Sequence, residues 1–245
     1  AGVSKENIIS TDHFLNNRMP GTIWGAGGEY ISSPHLDDVQ CAYASVQALL
    51  MGSHEQSVSV CSVFDNEEVG SATKQGAAST FLRDTLERIA AGLDLDAEKF
   101  HMMLAESFLV SADNAHAVHP NYLEKADPTN RPYMNQGIVI KYNANQKYTT
   151  DAVSAAVFQE ICQTAGVPVQ RYVNRSDVPG GSTLGNIVSR QVSVNMVDIG
   201  LAQLAMHSPY ETAGVKDTAY LIQALQKFYS TWISRQGDDT YHLMY

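Results

Sequence analysis

Residues 57–71 read SVSVCSVFDNEEVGS. The first eight are β-branched, small or apolar, the pattern of a strand buried on both faces, and the run stops at Asp65–Asn66–Glu67–Glu68. This predicts a strand over 57–64 whose carboxyl end carries two adjacent glutamates. Helical patterning precedes it over 37–52 and follows it over 73–93, where Gly92 is a candidate cap. The rhythm then repeats: strands over 107–111 and 137–142, a helix over 152–163, and a short strand over 167–172. The loop 175–185 (RSDVPGGSTLG), a strand over 192–200 and an amphipathic helix over 215–235 complete it. Strands alternating with helices of this length predict an α/β fold, a mixed, mostly parallel sheet with helices on both faces. Such folds place their chemistry in loops beyond the strands' carboxyl ends.

With 245 residues and 44% hydrophobic content, the chain suits one domain with a sizeable core. A net charge of −10 and a pI near 5.1 argue against tracking phosphates, so nucleic acid is excluded as a partner. Cys41, Cys61 and Cys162 are odd in number and far apart, so neither a disulfide framework nor a thiolate metal site is expected, and a reducing cytoplasm fits. No secretory pattern opens the sequence, and no apolar run has a membrane span's length, so a soluble protein without membrane contact is expected.

Four short motifs carry chemistry. In Asp65–Ser71 (DNEEVGS) two like charges follow an apolar run, and a divalent metal would neutralise them. One carboxylate could ligate it while its neighbour takes a proton from a metal-bound water; otherwise the motif is an acidic surface turn. Ser33–Asp38 (SPHLDD) meets a helix start, where Asp37 could ligate or simply cap. Ser111–Pro120 (SADNAHAVHP) places Asp113, His116 and His119 just past a strand. Ala205–Ser208 (AMHS) sets His207 in an apolar neighbourhood, where a core hydrogen bond is the plainer role. Together Asp37, Glu67, Glu68, Asp113 and His207 supply oxygen and imidazole donors at element ends, a set suited to a pair of zinc ions.

SPHLDD, DNEEVGS, SADNAHAVHPNY and AMHSPYE, in this order and spacing, resemble the aspartyl aminopeptidases, and the resemblance runs from about residue 28 to 229 and takes in KYNANQKY (141–148). It implies a zinc aminopeptidase-like α/β/α sandwich with two Zn2+ per complete active site. Asp37 would bridge the zincs, Glu68 and His207 would complete one site, Asp113 would bind the other, and Glu67 would be the general base. His116 would lie near the substrate, and Lys141 and Tyr148 would meet its acidic side chain. The implied activity is hydrolysis of amino-terminal Asp or Glu from peptides. Gly180, Gly181 and Ser182 would shape the pocket wall by close backbone approach.

The family pattern also has an amino-terminal histidine ligand and an inserted dimerisation domain, which bring homo-oligomerisation. Neither is visible here, and His13 lies in a segment that follows the insertion in relatives. Residues 1–245 are therefore expected to be a partial catalytic domain. Two alternatives stay open: a catalytically impaired fragment acting as scaffold or binding domain, and a dinuclear aminopeptidase of broader specificity. No G-x-S-x-G elbow, nucleophile-type cysteine or phosphate loop supports another hydrolase class.

Overall fold

The structure is a computed structural model describing residues 2–53, 55, 57–237 and 239–245. Its elements run β1 (Thr22–Trp24), β2 (Tyr30–Ser33), α1 (Leu36–Met51), α2 (Phe81–Gly92), α3 (Ala97–Ala105), β3 (Phe108–Ala112) and β4 (Ala115–His116). There follow β5 (Ile138–Tyr142), α4 (Ala152–Thr164), β6 (Val169–Val173), α5 (Leu184–Val188) and β7 (Asn195–Gly200). β8 (Ala202–Leu204), β9 (Glu211–Gly214), α6 (Val215–Tyr229) and the hairpin β10 (Trp232–Arg235) and β11 (Tyr241–Met244) close the chain.

The α/β class is as the sequence predicts. The main sheet has the order β3-β7-β5-β6, parallel at β3–β7 and β5–β6 and antiparallel at β5–β7. Alternation along the strands sends side chains to two helical layers. Val110 and Ala112 of β3, Val197 and Ile199 of β7, and Ile138 and Ile140 of β5 meet α1, α4 and α6 through Cys41, Ala44, Phe158, Leu221 and Leu225. Leu109 and Met196 point the other way, against Leu82, Leu86, Leu104 and Val188 of α2, α3 and α5. Small residues Ala44 and Ala48 on α1 admit α6 closely, and α4 is closed at its start by a capping box between Asp151 and Ser154.

The sequence reading needs four corrections here. Residues 57–64 are in none of the described strands, and Val58, Val60 and Val63 are exposed. β-Branched composition supplies a surface that packs well in a sheet but no partner to pair with. The last helix stops at Tyr229, and Trp232–Arg235 turn back as a strand against Tyr241–Met244. Gly92 ends α2 with Leu93 as the capping residue, and Asp94 takes the left-handed turn at φ 57°. A second sheet, of order β1-β2-β9-β8-β4 and antiparallel except at β4–β8, was not foreseen because its strands are only two to four residues long.

Candidate metal centre

The second sheet continues from the carboxyl ends of β3 and β7, with β3 handing over to β4 and β7 to β8. Gly200 sits at that second joint: a side chain there would strike the Asp113 carbonyl, 2.0 Å from an added Cβ. The close crossing brings four loops together. Asp37 stands at the start of α1 with extended φ/ψ of −86°/115°, but its carboxylate accepts no helix amide and instead joins the donor cluster. Glu67 and Glu68 lie on a 3-10 turn held between Asn66 and Gly70, both left-handed, with the Ser71 amide donating to the Asn66 carbonyl. Asp113 follows β3, and His207 lies between β8 and β9 at φ 66°. His35, Asn66, Ser71, Ala205 and His207 all adopt left-handed backbone, which costs energy for residues other than glycine and concentrates here around one cluster.

Four sequence-selected residues, Asp37, Glu68, Asp113 and His207, therefore meet, and Glu67 belongs to neither of the groups they form. One donor atom each from Asp37, Glu68 and His207 lies within 4.8 Å of the others, and so does one each from Asp37, Asp38 and Asp113. His207 Nε2 is 3.3 Å from Glu68 Oε2 and 3.6 Å from Asp37 Oδ2. Asp37 belongs to both groups. Its Oδ1 and the Oδ1 of Asp38 are buried with no hydrogen-bond partner, an arrangement that strongly disfavours charge unless a cation is present. The donor set of carboxylates and one imidazole suits a hard or borderline divalent ion such as zinc, so the residues fit the metal.

Electrostatics tell the same story. Burial, then Asp113, Glu68 and Glu211, push the Asp37 carboxyl up to about 8, and burial, then Asp113 and Glu68, push Glu67 up to about 7. Burial, Asp113 and Asp37 raise Asp38 well above its usual range. Glu68 is raised mainly by burial, against the pull of His207. Acids that hold protons near neutrality in the absence of a cation are poised to give them up to one.

Lys141 is 2% exposed and donates to the Asn114 carbonyl (2.7 Å) and to Asp113 Oδ2 (3.4 Å); Nζ sits 5.7 Å from the Tyr148 ring centre. Lys141 is therefore held out of solvent. Burial opposes its charge, but Asp113, Tyr148 and Asp198 outweigh that and raise its pKa. Tyr148 is also buried, its phenol pushed up by burial. His116 is exposed on β4, and its pKa is lowered by nearby protein and then by the Lys141 and His207 charges. His13 hydrogen-bonds Thr11 on the exposed amino-terminal segment. Of the pocket-wall glycines, Gly180 lies against Asn174, whereas Gly181 has open space around it.

Three contributors were not singled out from sequence. Asp38 joins the second donor group. Glu211, 2% exposed, accepts the Asp37 amide on Oε2 and the His207 amide on Oε1, each at 2.8 Å, so one carboxylate holds two ligand-bearing loops. Buried Asn114 donates to the Leu36 carbonyl and to Gln203 and accepts from the Cys41 thiol, tying α1 to β8. The second aspartate of LDD and the final glutamate of HSPYE were the available signals; Asn114 gave none beyond its place beside Asp113.

An α/β fold with carboxylate and imidazole donors gathered beside its sheets defines a candidate metal-binding α/β protein. The chain belongs to the aminopeptidase I zinc metalloproteases (M18), whose family model matches residues 1–229. It is 48% identical over 229 residues to a probable M18 family aminopeptidase 2 of Clostridium acetobutylicum, covering 94% of this chain and 53% of the relative. An aspartyl aminopeptidase of Dictyostelium discoideum is 38% identical over 240 residues, covering 93% and 50%. The solved mApe1 dodecamer of S. cerevisiae superposes with a TM-score of 0.78 at 29% identity, over 89% of this chain and 49% of that one. The chain thus spans about half the length of the curated relatives it matches.

Proposed function

We propose that this chain carries the metal-binding part of a dinuclear zinc aminopeptidase that releases amino-terminal Asp or Glu from peptides. The observation that supports this most is Asp37's membership of two donor groups at once, with an unpaired buried oxygen. In this reading Asp37 would serve both ions, Glu68 and His207 would complete one site, and Asp113, with Asp38 beside it, would hold the other. Zinc bound there would supply Lewis-acid polarisation of the scissile carbonyl and a water of lowered pKa. Glu67, its pKa raised by burial and by the Asp113 and Glu68 carboxylates while no cation is bound, would be the general base, taking a proton from water and giving it to the departing amine. His116 orients the bound peptide. Lys141, its charge fixed by Asp113, and Tyr148 favour an acidic first residue, a preference also supported by the name of the Dictyostelium relative. Homo-oligomerisation of the full-length form is supported by the yeast dodecamer.

The span of half the relatives' length favours a second reading, a metal-binding domain that alone does not turn over peptide. One experiment separates them: zinc content per chain for the parent, Glu68→Ala and His207→Ala, with hydrolysis of Asp, Glu, Leu and Ala derivatives by the parent and Glu67→Gln. Zinc lost in both ligand variants, with Asp and Glu cleaved first and only by the parent, is the expected result. Zinc binding without hydrolysis leaves the second reading; equal zinc in parent and variants refutes the metal site.

A further inference from the structure

One row of side chains crosses the main sheet on the face that Ile140, Val197 and Ile199 leave free when they pack against α1, α4 and α6. Ser111 of β3 pairs with Asp198 of β7, and Lys141 of β5 pairs with Tyr172 of β6. The antiparallel register of Val139 with Gly200 and Ile140 with Ile199, continued by one residue, sets Lys141 across from Asp198. Two loops are fastened to this row. From the loop 174–186, the Gly185 amide donates to Ser111 Oγ (2.9 Å), Thr183 Oγ1 to Asp198 Oδ1 (2.7 Å) and Asn174 Nδ2 to the Tyr172 hydroxyl (2.9 Å). From the loop 143–150, the amide and hydroxyl of Thr149 both donate to Asp198 Oδ2, at 2.6 and 2.7 Å. Asp198 therefore holds both loops.

The carboxylate is 0% exposed, and its two oxygens receive three donors, more than the single oxygen of an amide side chain could take at both loops at once. Gly185 leaves it room, since an added Cβ there would lie 2.6 Å from Asp198 Oδ1. Its partners are not arbitrary. Thr149 directly follows Tyr148, whose buried ring lies 5.7 Å from Lys141 Nζ and 6.3 Å from the Tyr172 ring, and Thr183 directly follows the glycines and serine at 180–182. The two loops are also tied to each other, Asn143 Nδ2 donating to Asn174 Oδ1 and Asn186 Nδ2 to the Gln146 carbonyl. We propose that Asp198 is a positioning residue for recognition of the substrate's first side chain: through Thr149 and Thr183 it fixes Tyr148 beside Lys141 and sets the 180–182 stretch against the same row. The proposal rests on the roles given above to Lys141 and Tyr148.

Amide exchange and ligand binding test it on this chain, with Asp198→Asn, Thr183→Val and Asp217→Asn. Asp217 is also 0% exposed and accepts the Asn135 and Gly137 amides at 2.6 and 3.1 Å, so it is the control for losing a buried clamp elsewhere. In the metal-free chain Asp198→Asn should speed exchange of the Thr149 amide at least about tenfold, and Asp217→Asn should not. In the zinc-loaded chain, calorimetry with the hydroxamates of aspartate and leucine, which share a metal-binding group and differ in side chain, reads the preference. Asp198→Asn should cut the preference for the aspartate compound at least about tenfold, through weaker binding of that compound at unchanged zinc content, and Thr183→Val should cut it less. Asp217→Asn should lower the urea midpoint and keep the parental preference. Parental exchange at Thr149 or parental preference in Asp198→Asn overturns the proposal alone. Equal loss of preference in Asp217→Asn does the same, because the effect is then one of stability. A parent that binds both compounds alike, or neither, overturns the roles of Lys141 and Tyr148 and this proposal with them.

Discussion

Replacing Glu211 by glutamine changes one atom and exposes what holds the centre together. Each carboxylate oxygen accepts one amide, from Asp37 and from His207, both at 2.8 Å, and the side chain is almost wholly out of water. Glutamine can accept only one of them; its NH2 group faces the other N–H, leaving a buried donor unmade at a cost of about 1–3 kcal/mol. Glu211→Ala strands both, so about 2–6 kcal/mol is expected by the same reckoning. Glu211 also contributes to the raised pKa of Asp37, so its loss relieves some repulsion and places Glu211→Gln toward the low end. Urea unfolding of the metal-free chain at pH 8 measures the loss, and amide exchange at residues 37 and 207 shows its location. A Glu211→Gln variant within about 0.5 kcal/mol of the parent, with both amides exchanging as before, would refute the clamp.

Other consequences follow from the same cluster. Asp37 and Glu67 have folded pKa values of about 8 and about 7, above their unfolded 3.8 and 4.5, so the folded metal-free chain binds their protons more tightly. Its stability should therefore rise as pH falls through 8 and 7, a gain complete once pH is below the unfolded values; urea midpoints at pH 8.5 and 6 check the sign. Zinc binding should for the same reason release protons near pH 7 and tighten as pH rises, which calorimetry in buffers of different ionisation enthalpy reads directly. Lys141→Met removes the cation beside Asp113 and should destabilise the metal-free chain by about 3 kcal/mol, with zinc restoring part of the loss in thermal unfolding. Asn114→Leu leaves the Leu36 carbonyl and Gln203 without their donor and should cost about 2 kcal/mol or more in urea unfolding; a smaller effect would remove Asn114 from the frame.

Much of this was written in local pattern. Period-two and helical periodicities located β3, β5, β7, α1, α4 and the start of α6, because each buries a continuous face whose residues must be apolar at fixed intervals. The acids and histidine of the four motifs stood out because charges next to apolar runs require a compensating partner, and donor atoms of Asp37, Glu68, Asp113 and His207 do fall into two adjoining groups, with Glu67 outside both. Local pattern does not carry pairing. Residues 57–64 have a strand's composition, yet a strand exists only where a neighbour's backbone lies alongside. Tertiary structure alone decided the short strands of the second sheet, the crossing at Gly200, Glu211's grip on two amides, and Asn114's link between α1 and β8. Each depends on groups far apart in sequence, up to 174 residues for Glu211 and Asp37, and no periodicity records such a distance.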